Sequence, residues 1–225
     1  MKIRKNVYWV SLFGLMIWSI GIIEWSGCSS TVLEKEKNAP PKWTCSKEAD
    51  QAFKQQNYQT SILLHEKYLE EQPFNGLALY HLGYAYGKMG DHAKEVYYYE
   101  KAVKVGFFQD NIYFNLGMAY GELNQTKNAI TALKKAVDND PDSSDNHFGL
   151  ALVYHKDASY DLAKDHFIRA IRLDPKNIDA RFFLARLYIE EEEWQGARDQ
   201  LRKILEQDPQ NGMAHDLLRS IENKP

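Results

Sequence analysis

Residues 110–143 read DNIYFNLGMAYGELNQTKNAITALKKAVDNDPDS, and this stretch decides the fold. Tyr113, Leu116, Gly117 and Tyr120 fall at i, i+3, i+4 and i+7, which is one face of a helix. A polar break, Asn124-Gln125-Thr126, follows. Ala129, Leu133 and Ala136 then mark one face of a second helix. Asp140-Pro141 ends it, because proline cannot continue a helix and restricts the residue before it. Small residues at Gly117, Ala129 and Ala136 let the two backbones approach closely. The stretch is a helical hairpin, and its pattern recurs along the chain with a fixed period, as Leu116, Leu150 and Leu184 show.

Phased on Asp110, the units are 42–75, 76–109, 110–143, 144–177 and 178–211, covering 170 of the 225 residues. The fourth unit carries Leu150, Ala151, Tyr154, Ala163, Phe167, Ala170 and Pro175. The fifth carries Leu184, Ala185, Tyr188, Ala197, Leu201 and Pro209, with Ile204 in place of a small residue. In the second, Glu95 stands where Ala is expected, and Phe107 replaces Pro within Gly106-Phe107-Phe108. The first is weakest, with Cys45, Glu48 and His65 where the pattern expects apolar residues. A terminal unit packs on one side only, so a degenerate end is expected. Residues 212–225 add Met213, Ala214, Leu217, Leu218 and Ile221, enough for a capping helix.

This signature resembles the tetratricopeptide repeat (TPR) family, whose 34-residue units are helix–turn–helix pairs. The resemblance implies an all-α fold: a right-handed α-solenoid of five units with a C-terminal capping helix. It also implies that the first helix of each unit builds the inner wall. At about 100° per residue, unit positions 2, 5, 9 and 12 point roughly 130° from the core direction. Position 5 reads Ser46, Tyr80, Phe114, Phe148 and Phe182; position 9 reads Asp50, Tyr84, Met118, Leu152 and Arg186. The expected groove residues are therefore Tyr80, Tyr84, Phe114, Met118, Phe148, Leu152, Phe182 and Arg186, joined by Asn115, whose side chain could hydrogen-bond a peptide backbone. Aromatic and Met side chains on a concave wall are typical anchors for an apolar or amphipathic protein segment. A packing role for the position-5 rings stays open beside that reading.

The N-terminal segment, 1–27, has the layout of an export signal or membrane anchor. Lys2, Arg4 and Lys5 precede an apolar run, Val7–Ile23, and Ser26-Gly27 stand directly before Cys28. Trp25-Ser26-Gly27-Cys28 resembles the lipoprotein cleavage box, which implies lipidation of Cys28, although Trp25 and Glu24 depart from the pattern. An uncleaved anchor and an ordinary signal peptide are the alternatives. Residues 28–41 read as a flexible linker, whose stretch from Ser29 to Pro41 reaches at most about 45 Å when extended.

A net charge of −3 argues against nucleic acid as the partner. The sequence contains no phosphate-cradling loop, no His-Glu-x-x-His and no nucleophile elbow, so neither an enzyme nor a cofactor is expected. Cys28 and Cys45 lack metal-ligand spacing, and a His147–His155 pair without a third ligand argues against a metal site. Glu190–Glu193 reads as a solvated run or as a patch for a basic partner, and Phe107-Phe108 as a filler or as an exposed dock. The reading that unites these features is a non-enzymatic scaffold, held to a membrane outside the cytoplasm, with an outer-membrane lipoprotein favoured. It would bind a protein segment in its groove and assist assembly of an envelope complex. Its layout is similar to that of small repeat lipoproteins such as type IV pilus pilotins. The alternative is a periplasmic chaperone-like holder of transient clients.

Overall fold

The computed structural model describes residues 43–109 and 111–224. Among them are eleven α-helices and no strand: α1 Lys47–Lys54, α2 Tyr58–Glu71, α3 Gly76–Lys88, α4 His92–Lys104, α5 Ile112–Glu122, α6 Thr126–Asn139, α7 Ser144–Lys156, α8 Tyr160–Leu173, α9 Ile178–Glu190, α10 Trp194–Gln207 and α11 Gly212–Ser220. The odd-numbered helices are the first helices of successive units, and α11 caps the stack. The substantial packing runs between chain neighbours, with a weaker contact from α3 to α5 and from α5 to α7. That one-dimensional pattern is an α-solenoid.

Every turn inside a unit is three residues long and built the same way. Gln56, Gly90, Asn124, Ala158 and Glu192, which share one repeat position, all have φ between +57° and +81°. In α7, for example, the Ser159 amide reaches the Tyr154 carbonyl and the Ala158 amide the His155 carbonyl. This is a Schellman motif, in which a left-handed residue just past the helix satisfies two carbonyls that the helix leaves open. Only one of the five positions is glycine. Between units, four residues suffice at three of the four internal junctions. There Asn75, Ser143 and Asn177 cap the following helix, their side chains accepting from the amides of Ala78, Asn146 and Ala180.

The junction of units 2 and 3 differs. Helix α4 ends in its own Schellman motif at Gly106 (φ +91°) instead of at an Asp-Pro pair. A longer connection then intervenes, and α5 begins at Ile112 behind a left-handed Asn111 whose side chain makes no cap bond. The extra turn folds Phe107 inward until it is fully buried, with its ring stacked on Tyr80 at 5.3 Å. Phe107 is thus an internal plug, and only Phe108, 58% exposed and stacked on Tyr113, faces water.

The core is continuous from Leu79 to Leu187, and a second cluster (Leu201, Ile204, Ala214, Ile221) closes the C-terminal end. Ile204 replaces a small residue where only the cap follows. In unit 2, Glu95 at an alanine position is accommodated by Gly87, and the His92 imidazole lies 2.8 Å from its carboxylate. Among the described residues no helix is long and apolar enough to cross a membrane. The proposed signal, linker and Cys28 lie outside the described residues.

Candidate functional site

The wall expected to bind is carried by α3, α5, α7 and α9, and a repeated hydrogen-bond step shows how these helices align. The Asn115 amide donates to the Tyr80 hydroxyl (3.1 Å), and the Lys156 ammonium donates to the Gly121 carbonyl (2.9 Å). The His155 imidazole lies 3.2 Å from the Glu190 carboxylate. All three pairs have the same chain separation, one position more than the repeat, so the same side-chain step recurs between successive first helices along this wall.

The nine expected groove residues divide by their surroundings. Tyr80 is only 9% exposed, held between Phe107 and Tyr99, and offers little surface to a ligand. Asn115 spends its amide on Tyr80. Phe114 and Met118 are half-buried against Gly149 of the next unit, where a β-carbon would come within 2.9 Å of the Phe114 ring and 3.3 Å of the Met118 sulfur. Phe148 packs on Phe167 (6.0 Å) and Phe183 (5.8 Å), again spanning two units. Phe182 meets Phe183 edge-on. The position-5 rings therefore serve partly as spacers between repeats. Tyr84, Met118 and Leu152 remain half-exposed in a row, with Arg186 exposed beyond them.

Several neighbours on this wall were not singled out by periodicity. Phe53 and Tyr58 flank the Tyr84 ring at 5.4 and 6.2 Å, and the Lys88 ammonium lies 5.1 Å over it. Lys156 and His155 sit at the C-terminal end of α7. Helical angles could have found Phe53, which shares the wall phase at position 12, but not Tyr58, which belongs to a second helix. At the irregular junction, a cleft of about 210 Å³ opens beside Phe114, lined also by Phe108, Asn111, Tyr113, Asn139 and Asn146.

The acidic run is largely engaged within the protein. Lys164 pairs with Glu191 and with Glu193 at 2.8 Å, and His155 meets Glu190. Hydrogen bonds that the Lys164 ammonium donates to the two carboxylates push it above its usual range. What remains on the wall is a half-buried apolar strip edged by Lys88, Lys156 and Arg186. Such a strip can bury an apolar segment and accept a few carboxylates along its edge.

Two family models, both described as tetratricopeptide repeat, match the chain, one over residues 155–221 and the other over 77–105 and 110–143. Together they span more than half of it. The chain is also similar to several solved structures. MamA superposes with a TM-score of 0.70 at 23% identity, covering 74% of this chain and 97% of that one. YrrB, described as a TPR protein with an unusual peptide-binding site, gives 0.69 at 20% identity, covering 85% and 98%. TTC0263 from Thermus thermophilus gives 0.58 at 24% identity, covering 76% and 94%. A comparison with curated proteins finds no match. At these identities the likeness concerns the fold.

Proposed function

This chain belongs to the tetratricopeptide repeat family, and from that premise we propose that it is a membrane-tethered, extracytoplasmic scaffold. It binds an apolar or amphipathic protein segment along the first-helix wall and helps assemble an envelope complex. The observation that carries the reading is the row Tyr84, Met118 and Leu152, half-exposed at one-repeat intervals and edged by cations. Side chains of this type lose little by being covered and offer a segment repeated apolar footholds. YrrB, with the same fold, is described as binding peptide at an unusual site, which supports a peptide ligand without fixing its position here. The tether rests on the apolar run 7–23 and on Cys28.

Photo-crosslinking in the full chain tests the wall. A crosslinker at Leu152 should capture one stoichiometric partner, and Met118→Glu should remove that product from a folded protein. A crosslinker at Leu63, 65% exposed on a second helix, should not capture it. Unchanged partner recovery by a folded Tyr84→Ala/Met118→Ala double variant would overturn the assignment, and many weak products at Leu152 would favour a chaperone. Mass spectrometry of the mature N-terminus, wild type against Cys28→Ser, tests the tether. A diacylglyceryl-Cys28 peptide supports lipidation, whereas an intact Met1 peptide in membranes identifies an uncleaved anchor.

A further inference from the structure

Unit 1 departs from the repeat where the other units are most apolar. One buried position is filled by Tyr99, Leu133, Phe167 and Leu201 in units 2 to 5, each at most 1% exposed, and by His65, equally buried, in unit 1. One helical turn earlier, Ala129, Ala163 and Ala197 fill units 3 to 5, whereas unit 1 has a buried Ser61. A buried imidazole is costly unless its nitrogens find partners. His65 Nδ1 lies 2.9 Å from the Ser61 carbonyl and 3.1 Å from its hydroxyl, so Nδ1 carries the proton and donates to the carbonyl. That fixes the tautomer and leaves Nε2 as a lone pair.

The lone pair points at Asp50 and His81. His65 Nε2 is 3.1 Å from His81 Nδ1 and 3.6 Å from Asp50 Oδ1, and His81 Nδ1 is 3.3 Å from the same oxygen. Asp50 Oδ1 is itself buried and accepts no hydrogen bond. The Cys45 sulfur completes the group: all four ligand atoms lie within 4.8 Å of one another. His81 Nδ1 can donate to the His65 Nε2 lone pair at 3.1 Å, but Asp50 is left out of that bond: both N···O separations exceed the about 2.7–2.9 Å of a charge-assisted hydrogen bond. They do suit a metal. A tetrahedral ion with bonds of about 2.0–2.1 Å to nitrogen and oxygen separates its ligand atoms by about 3.3–3.4 Å. The three distances scatter closely around the edge of such a face.

We propose that Cys45, Asp50, His65 and His81 bind one divalent transition-metal ion, with zinc the best fit, and that this ion pins unit 1 onto unit 2. One soft thiolate, two borderline imidazoles and one hard carboxylate make a mixed donor set that suits a four-coordinate zinc, and four protein ligands close the site against catalysis. His65 Nδ1 donating to Ser61 is the outer-shell bond that orients a ligating imidazole. Binding means that the ion displaces the Cys45 thiol proton to solvent and forms the metal–sulfur bond in its place. The sulfur, 3.7 Å from Asn75 Oδ1 and within 4.8 Å of the other ligand atoms, reaches the tetrahedral spacing by a turn of at most about 1 Å.

The staple stands where the fold is thinnest. Helix α1 is short and buries only Ala49 and Ala52, and an end repeat has no neighbour on its outer side. The four ligands come from the segment before α1, from α1, from α2 and from α3, so one ion joins three helices across the first unit boundary.

Cobalt(II) and zinc(II) alone, added to the metal-stripped full chain, test this. Cobalt should bind once per chain and show the intense visible bands and sulfur charge transfer of a tetrahedral thiolate site. Zinc at 100-fold over its Kd should raise stability by about 2.7 kcal/mol through mass action. Cys45→Ser should remove the sulfur band. His65→Leu/His81→Leu, the first change restoring the leucine that units 3 and 5 carry at that position, should keep helical circular dichroism and lose both responses. Absence of tetrahedral bands and of any zinc-dependent shift in a folded wild type would overturn the proposal. So would a response that survives intact in the folded double variant, because the ion would then sit elsewhere.

Discussion

Phe107 lies directly over Gly76: a β-carbon added at Gly76 would sit 2.7 Å from the Phe107 β-carbon. The plug and its socket come from opposite ends of unit 2, and they explain how a unit without its terminal proline still closes. Truncating a buried phenylalanine removes its burial and leaves a cavity, so Phe107→Ala should cost about 3–5 kcal/mol. Gly76→Ala forces a methyl group into the same space and should cost about 1–3 kcal/mol. The exposed neighbour is the control, and Phe108→Ala should change stability by less than about 0.5 kcal/mol. Urea midpoints of the three variants decide the matter, and equal losses at Phe107 and Phe108 would refute the plug.

Ala158 carries the turn of unit 4 at φ +57°. An L-residue in this region costs about 1–2 kcal/mol, and glycine offsets part of the gain through about 0.5–1 kcal/mol of extra chain entropy. Ala158→Gly should therefore stabilise the protein by about 0.5–1 kcal/mol. The converse test is Gly90→Ala in unit 2, where nothing lies within 4 Å of the added methyl group and only the backbone is at issue. It should destabilise by a similar amount. Thermal melts of the two variants should shift in opposite directions.

His166 and His147 form a short polar relay in unit 4. The Pro141 carbonyl lies 3.0 Å from His147 Nε2 and accepts its N–H, so His147 Nδ1 is a lone pair and accepts from His166 Nδ1 at 2.9 Å. Burial above all, then the His147 ring with Arg169 and Lys134, holds His166 down to about 4, while Asp165 opposes them. A folded-state value below the unfolded one means that the folded chain binds fewer protons. Stability should then fall as pH drops from about 6.5 towards about 4, by at most about 1.4 kcal/mol per pH unit and less where solvent screens the ring. Urea midpoints of wild type and His166→Gln across that window test this. The variant should show a shallower decline, and an identical one would exclude His166 as the cause.

The repeat was legible because its signal is periodic: Gly83 and Gly117 recur with Tyr86, Tyr120 and Tyr154, and the helices fall in that phase. The junction at Gly106 was not, because one left-handed glycine converts a short turn into a longer one and decides which of Phe107 and Phe108 is buried. On the wall, helical angles located Tyr84, Met118 and Leu152. They could not reveal that the Tyr80 ring is consumed by Phe107, because that contact depends on the irregular junction. The cluster of Cys45, Asp50, His65 and His81 was hidden for another reason. Its members are scattered over three helices and the segment before them, and their spacings match no familiar metal-ligand motif. Its trace in the sequence is the loss of an apolar residue at His65, where the other units carry Tyr99, Leu133, Phe167 and Leu201, and that equally fits the decay of an end repeat.

Within the hairpin 110–143, Gly117 and Leu133 set how closely α5 and α6 approach. A β-carbon at Gly117 would lie 2.5 Å from Leu133 Cγ and 3.2 Å from the Leu133 backbone nitrogen. Gly117→Ala should cost about 1–3 kcal/mol through overpacking, and Leu133→Ala about 2–5 kcal/mol through a cavity. The two effects oppose each other in space, since the shortened side chain at 133 removes the tightest clash. The double variant should therefore be more stable than the sum of the single losses predicts, with a coupling of about 0.5–3 kcal/mol. The backbone nitrogen remains, so recovery should be partial. A double-mutant cycle on denaturant midpoints measures the coupling. Strict additivity would show that the helices relax apart around the added methyl group, and that the glycine does not set their spacing.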